Sequence, residues 1–127
     1  MQKKYSNSVP KIYKLDYKLI MDKLKEYGNR CEAKGSILTI LIGSLAKKDY
    51  SPFSDADIVI INKTQKNIID FLAPDMPIDI EPRLYAINEV YNMSKEKKRI
   101  VYEMVKNGIV LSGDKDLLDK IRELYYR

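Results

Sequence analysis

The sequence predicts an α+β domain in which short β-strands are separated by helices. Short apolar runs rich in β-branched residues are typical of buried strands, and longer stretches with apolar residues three or four positions apart are typical of amphipathic helices. The chain has 127 residues, of which 45% are hydrophobic, and no shift in composition marks a linker. We therefore expect one domain over residues 1–127, with residues 1–10 loosely ordered.

The first half of the chain is predicted to contain two helices and two strands. Residues 16–33 carry an apolar helical stripe, and Gly35 is a suitable stop after it. Residues 36–42 are apolar and β-branched and predict a buried strand, which a short helix-compatible segment at 45–48 follows. A loop containing Ser, Pro and Asp then leads to a second strand that opens at Asp55.

A connecting helix and a third strand are expected in the middle of the chain. Residues 64–72 are predicted to form the helix, with Thr64 as its N-cap. Ile78 and Ile80 mark the strand, because they alternate with acidic residues. The helix would return the chain so that the third strand can pair with the second.

The last third of the chain is predicted to be mainly helical. Residues 86–107 show apolar stripes at both ends and predict two helices that are split at Ser94, the second ending before Gly108. A short strand at 109–111 and a final amphipathic helix follow. The Ser-Gly-Asp-Lys run before that helix lacks the spacing of a P-loop, so we interpret Asp114 as a helix N-cap.

The dipeptide Gly43-Ser44 ends the first predicted strand and precedes a helical segment. Glycine lets the backbone come close to a ligand, and the free N–H groups at the start of a helix point toward an anion that lies there. This strand, turn and helix start are therefore suited to phosphate.

Two aspartates open the second predicted strand. Side chains alternate along a strand, so Asp55 and Asp57 project from one face while Ala56 faces the other. A bound cation relieves the repulsion between neighbouring carboxylates, and hard oxygen ligands favour Mg²⁺ or Mn²⁺. The chain has no histidine and one cysteine, too few for a zinc site. Two spaced aspartates alone also fit a turn residue and a solvated strand residue, but the Gly-Ser turn ten residues earlier favours a metal site.

A second acidic pair, Asp79 and Glu81, shares one face of the third predicted strand. If this strand pairs with the second, one of the two acids completes a triad. We choose Asp79, because Pro82 cannot donate a ladder hydrogen bond and pairing is expected to fail there, which leaves Glu81 at a frayed end. Glu81 is better explained as an edge-strand charge that prevents aggregation.

The pattern Gly43-Ser44, ten further residues, Asp55-Ala56-Asp57 and a third acid on a later strand resembles the signature of the DNA polymerase beta-type nucleotidyltransferase superfamily. Within it, the opening Leu-Ile-Gly-Ser-Leu-Ala-Lys is similar to the minimal nucleotidyltransferase family of archaea and bacteria. The motifs span residues 36–84. The resemblance implies a nucleotidyltransferase fold, with a small mixed β-sheet and helices packed around it.

The resemblance also implies roles for individual residues. Asp55, Asp57 and Asp79 would be catalytic and would hold two metal ions, Mg²⁺ or Mn²⁺, and Asp79 would help to activate the attacking hydroxyl. For these roles the three carboxylates must be ionised.

Nucleotide contacts follow from the same resemblance. Gly43 and Ser44 would contact the triphosphate, and Lys47 falls where many relatives carry an arginine that meets phosphate or the acceptor. Lys48 departs from the pattern, because a glycine is common there. Both lysines also fit an ordinary solvated helix end.

The implied reaction is attack by an acceptor hydroxyl on the α-phosphate of a nucleoside triphosphate, ATP being expected, with release of pyrophosphate. Minimal members are often encoded with a HEPN-domain partner, and the two resemble a toxin–antitoxin pair in which a tyrosine of the partner is adenylylated. We therefore expect an antitoxin-like nucleotidyltransferase with a HEPN-domain partner. A non-catalytic partner-binding module with a vestigial metal site, and a nucleotidyltransferase acting on a small molecule or an RNA end, remain as alternatives.

Charge and composition limit the other partners. The net charge is +5 with well-mixed signs, and the basic run 95–99 is better explained by a solvated helix face than by RNA, so nucleic acid is not expected. Cys31 alone cannot form an internal disulfide and suits a reducing cytoplasm, and no apolar run approaches the ~20 residues that span a membrane. Tyrosines near the termini leave a homo-oligomer contact open: Tyr5, Tyr13, Tyr125 and Tyr126.

Overall fold

A four-stranded mixed sheet forms the centre of the computed structural model, which describes residues 16–51 and 54–127. Its strands are β1 (Ser36–Ile42), β2 (Ala56–Asn62), β3 (Ile80–Ala86) and β4 (Ile109–Gly113). They lie in the order β3-β2-β1-β4, with β1 antiparallel to β2 and β4, and with β2 parallel to β3. The predicted α+β class with a small mixed sheet is confirmed. The prediction for residues 1–10, and that of Tyr5 and Tyr13 as oligomer contacts, fall outside the described residues.

Five α-helices within the described residues pack around this sheet. They are α1 (Tyr17–Ala33), α2 (Gly43–Lys47), α3 (Ile87–Lys95), α4 (Arg99–Asn107) and α5 (Lys115–Tyr125). The side chain of Asp16 caps α1 by accepting from the N–H of Leu19 at 3.1 Å, and Asp114 caps α5 by accepting from the N–H of Asp116 at 2.9 Å. The interpretation of Asp114 as a helix cap is thus confirmed. No helix in these two segments is long and apolar enough to cross a membrane.

The two faces of the sheet bury separate apolar clusters, one beneath α1 and the other beneath α3, α4 and α5. Side chains alternate along β2, so Ala56 and Ile58 join the α1 cluster while Val59 and Ile61 join the other. By the same alternation Asp57 projects from the face that α4 covers. The packing of α4 therefore decides what lies opposite this carboxylate.

No α-helix forms over residues 64–72, so this prediction is wrong. Only the single 3₁₀ turn Ile68–Phe71 forms there, and Asn67 rather than Thr64 caps it. Residues 63–70 are all exposed, including Ile68 and Ile69, so only Phe71 of the segment packs into the core. A short helix is not stable without such packing.

Two helices do form within residues 86–107, but the break between them lies at 96–98 instead of at Ser94. Ser94 is buried inside α3, and its hydroxyl donates to the carbonyl oxygen of Val90 one turn earlier at 2.7 Å. Because this bond satisfies the hydroxyl, the helix continues through the serine. The chain turns at Lys97, which has a φ of 60°.

Candidate active site

The turn between β1 and α2 brings the backbone against the carboxylate of Asp57. Gly43 has a φ of 80°, in the left-handed region that favours glycine. A Cβ at this position would lie 2.7 Å from Oδ2 of Asp57. Glycine is therefore required for the carboxylate to lie beside the turn, and Ser44 follows at the same bend.

The predicted metal ligands Asp55 and Asp57 lie at the start of β2. Asp57 is half-buried within the strand and pairs in register with Ile42, while Asp55 is exposed and precedes the strand. Ala56 between them is fully buried in the α1 cluster. Alternation about Ala56 turns the carboxylate of Asp57 toward the opposite face, and the charge of Asp55 acts on it from two residues earlier.

The acids at the start of β3 lie beside this pair. The parallel register places Glu81 next to Asp57, and pairing continues through Pro82. The expectation that pairing fails at Pro82 and frays Glu81 is wrong, because β3 is an edge strand that tolerates a missing N–H on its outer side. Asp79 precedes β3, and its carbonyl oxygen accepts from the N–H of Ala56 at 2.8 Å. Glu81 thus lies beside Asp57, whereas Asp79 lines a separate pocket with Leu72, Ala73, Pro74 and Ile80. The choice of Asp79 as third ligand stays a prediction.

Arg83 ties two of these acids together. Its Nη2 donates to Oε1 of Glu81 at 2.8 Å and lies 3.6 Å from Oδ1 of Asp57. Sequence reasoning missed this residue, although its i, i+2 spacing from Glu81 on one strand face was a usable signal. The guanidinium offsets part of the negative charge at the site.

The surroundings of Asp57 raise the pKa of its carboxyl group. Partial burial is the largest cause, and the charges of Glu81 and, more weakly, Asp55 act in the same direction, whereas Arg83 opposes them. Ionised Asp57 is therefore held at a cost in free energy, which a bound cation would lower.

A trough with a volume of about 390 Å³ opens beside Asp57. It is lined by Ile42, Gly43, Lys47, Asp57, Arg83, Arg99, Ile100 and Glu103. Two predicted nucleotide contacts, Gly43 and Lys47, thus face the same space as Asp57. Sequence reasoning missed Arg99 and Glu103, because no local pattern shows that the start of α4 returns to the end of β1.

The donors at the site fit a hard divalent cation. Within residues 16–51 and 54–127, no three acidic, cysteine or histidine side chains already converge as a complete metal site. Carboxylate oxygens are nevertheless the ligands that Mg²⁺ prefers, and the bare Cα of Gly43 leaves space beside Asp57. Asp55 and Asp57, together with Asp79 or Glu81, are the residues that could hold such an ion.

The residue after α2 adopts a backbone conformation that is usual for glycine. Lys48 has a φ of 60° and a ψ of 27°, and its Nζ lies 5.3 Å from the centre of the Tyr17 ring. The lysine that departs from the family pattern therefore occupies a left-handed helix cap.

A strand, a Gly-Ser turn, a helix and two aspartates at the start of the next strand together define a nucleotidyltransferase domain. The family model described as "Polymerase beta, Nucleotidyltransferase" matches residues 22–116, and the chain belongs to this family. The match confirms the resemblance that the motifs predict.

Two solved structures share the fold. A toxin–antitoxin solved with AMP-PNP is 16% identical, has a TM-score of 0.55, and the match covers 80% of this chain and 86% of that chain. A mutant of the toxin–antitoxin MntA-HpeT is 15% identical, has a TM-score of 0.50, and the match covers 88% of each chain. At these identities the likeness shows the fold alone. A comparison with the curated proteins found no match.

Proposed function

We propose that the protein is a metal-dependent nucleotidyltransferase that moves AMP from ATP to an acceptor hydroxyl and releases pyrophosphate. The observation that carries the proposal is the close approach of Gly43 to the carboxylate of Asp57, at the wall of a trough that also exposes Lys47. A bare backbone turn lets phosphate oxygens come close, and a carboxylate beside it can hold the cation that those oxygens bind. Membership of the nucleotidyltransferase family supports the same reaction class.

The carboxylates would hold the metal. Asp55, Asp57 and Asp79 are the proposed ligands of two Mg²⁺ ions, which Mn²⁺ could replace, and Glu81 lies beside Asp57 as a further donor. When bound, such ions lower the pKa of an attacking hydroxyl and stabilise charge on phosphate oxygens.

The side chains and backbone of this chain position the reactants. The acceptor oxygen forms a bond to the α-phosphorus, while the bond from that phosphorus to the bridging oxygen breaks and its electron pair leaves with pyrophosphate. Asp79 takes the hydroxyl proton. Gly43 and Ser44 orient the triphosphate, and Lys47 offsets the charge on the leaving group.

The proposed acceptor is a tyrosine of a HEPN-domain protein. Both structural relatives described above are toxin–antitoxins, which supports a protein partner, and one of them was solved with AMP-PNP, an ATP analogue, which supports an adenine nucleotide. The HEPN identity rests on the family resemblance of the motifs.

Transfer of label tests this function. The protein is incubated with Mg²⁺ and ATP labelled at the α-phosphate, with and without the protein encoded by the neighbouring gene. The Asp55→Asn/Asp57→Asn variant is compared with Asp70→Asn/Asp75→Asn, which removes two exposed carboxylates outside the trough. We expect the wild type and the control variant to label the partner, and we expect no label on the partner with Asp55→Asn/Asp57→Asn. A folded wild type that binds the partner and transfers no label would overturn the proposal.

A second candidate function is binding of the partner without catalysis. Arg83 already pairs with Asp57 and Glu81, as expected of a vestigial metal site. On this candidate the wild type transfers no label, and Asp55→Asn/Asp57→Asn binds the partner with unchanged affinity.

A further inference from the structure

Two cations in the trough share one carboxylate. Oε2 of Glu103 accepts from Nε of Arg99 at 3.2 Å and lies 3.0 Å from its Nη2. Oε1 of Glu103 lies 4.0 Å from Nζ of Lys47, and no described residue gives this buried oxygen a hydrogen bond. Glu103 thus links the end of α2 to the first turn of α4.

Arg99 stands where helix energetics disfavour a cation. It is the first residue of α4, the N-terminus of a helix carries partial positive charge, and the first turn of α4 contains no acid. An arginine that precedes its glutamate by four residues also has the weaker orientation of such a pair. Residues that break a local rule are typical of functional sites. Binding of an anion in the trough therefore explains an arginine at this position better than the stability of α4 does.

Charge is divided along the trough. At the β2 and β3 end, Asp57 in the trough and Glu81 just outside its lining share one cation, Arg83, so this end is negative. At the other end, Lys47 and Arg99 face one carboxylate, Glu103, so this end is positive. A nucleoside triphosphate bound through a cation at the carboxylates has the matching polarity, because its outer phosphates are anions that extend away from the bound ion.

We propose that Arg99, positioned by Glu103, joins Lys47 in a polyphosphate subsite that binds the β- and γ-phosphates of the nucleotide and the pyrophosphate that it releases. The proposal rests on the proposed function of the same trough. A guanidinium binds phosphate oxygens through two parallel hydrogen bonds.

The contacts of Glu103 explain how the pair is presented. The Arg99 side chain is 77% exposed, and two contacts with Glu103 together with the ring of Tyr102, whose centre lies 5.1 Å from the guanidinium carbon, keep it at the wall of the trough. The Lys47 ion pair, at 4.0 Å, is too long for a hydrogen bond, so the ammonium can turn toward an arriving phosphate.

Calorimetric titration with inorganic tripolyphosphate tests the subsite, and EDTA in the buffer excludes any contribution from a metal. Arg99→Ala should weaken binding about tenfold, the effect of losing hydrogen bonds to a charged group. Arg99→Lys should restore part of the affinity. Lys106→Ala removes the same charge from an exposed position of α4 outside the trough, and should change the affinity by less than about twofold.

The Glu103→Ala variant distinguishes a positioning role of Glu103 from a purely electrostatic one. Removing the carboxylate makes the trough more positive, so an electrostatic role alone predicts tighter binding of tripolyphosphate. A positioning role predicts weaker binding, because Arg99 and Lys47 lose their shared partner. We expect weaker binding at an unchanged melting temperature, and tighter binding would overturn the role of Glu103.

The kinetics of labelled transfer distinguish this proposal from the function on which it rests. Arg99→Ala should raise KM for ATP more than it lowers kcat. If the wild type transfers no label but Arg99→Ala still weakens tripolyphosphate binding, the proposed function fails and the subsite stands. If transfer occurs and Arg99→Ala changes neither KM nor tripolyphosphate binding relative to Lys106→Ala, the subsite is wrong.

Discussion

At the scale of single residues, Gly43 is the position at which the backbone and the candidate chemistry depend on each other. A Cβ there meets Oδ2 of Asp57 at 2.7 Å, and the φ of 80° is strained for any residue with a side chain. Gly43→Ala should therefore displace the carboxylate, abolish most nucleotidyl transfer and cost about 1–2 kcal/mol of stability. Labelled transfer and urea unfolding measure the two effects.

Gly35→Ala is the matched control for this prediction. Gly35 also has a positive φ, 106°, but a Cβ there would meet only the flexible end of the Lys66 side chain at 3.2 Å. The backbone cost should be similar, and transfer should be retained. Equal loss of transfer in both variants would show that Gly43 acts through stability alone.

At Asp57, the stability of the folded protein and the proposed activity favour different protonation states. Its pKa is raised in the folded protein by partial burial first, then by the charge of Glu81. The folded state therefore holds this proton more tightly than the unfolded chain does, so the stability that Asp57 contributes is present at low pH and is lost as pH rises through the folded pKa.

Replacement of Asp57 by asparagine should remove that loss. Asp57→Asn should melt at a higher temperature than the wild type at pH 7 without metal, and the difference should shrink toward pH 4, near the ordinary range of a carboxyl pKa. Melting curves across this range measure it. A variant that is less stable than the wild type at pH 7 would contradict the cause given for the shift.

Lys48 tests the cost of a side chain in a left-handed helix cap. Its φ of 60° favours glycine, while the contact of Nζ with the Tyr17 ring partly compensates. Lys48→Gly and Lys48→Ala both lose this contact and differ in backbone preference, so the glycine variant should be more stable by about 1 kcal/mol. Urea unfolding of the two variants measures the difference, and equal stabilities would contradict it.

At the scale of elements, the 3₁₀ turn that replaces the predicted helix is held by side-chain hydrogen bonds that include one from Lys34 to a carbonyl oxygen of the turn and a buried one from Tyr27. The hydroxyl of Tyr27 on α1 donates to the carbonyl oxygen of Phe71 at 2.5 Å, and both residues are buried. Tyr27→Phe should cost about 1–3 kcal/mol, because it leaves a buried carbonyl group without a donor. Tyr17→Phe, which removes a bond to the carbonyl of Leu45 at a partly buried site, should cost less. Denaturant unfolding ranks the two, and the reverse order would contradict this account.

Sequence patterns predicted an element best where its apolar residues follow a single pattern and pack into the core. β1 and α1 have continuous apolar patterns and were predicted within a residue or two of their bounds. The break at 96–98 was displaced, because a buried hydroxyl at Ser94 can satisfy itself inside a helix. Pairing through Pro82 was also missed, because strand order decides whether a proline lies on an edge.

At the scale of the whole molecule, the sequence could predict the half of the candidate site that is local along the chain. Gly43 and Asp57 belong to one motif, and their approach follows from the adjacent strands β1 and β2. Arg83 and Glu103 depend on the register of β3 and on the packing of α4 against the sheet, which no local pattern specifies. The charge division along the trough is therefore a property of the tertiary structure alone.

This division makes a last prediction about the whole domain. A metal and a nucleotide that bind the folded protein alone should stabilise it, by about 2.7 kcal/mol when the ligand is present at 100 times its Kd, which for a domain of this size is a shift in melting temperature of roughly 10 °C. Mg²⁺ and AMP-PNP together should produce this shift, whereas either alone should produce less, because each end of the trough is complementary to one of them. EDTA should reverse it, and Asp55→Asn/Asp57→Asn should not show it. An equal shift in that variant would place the nucleotide elsewhere on the molecule.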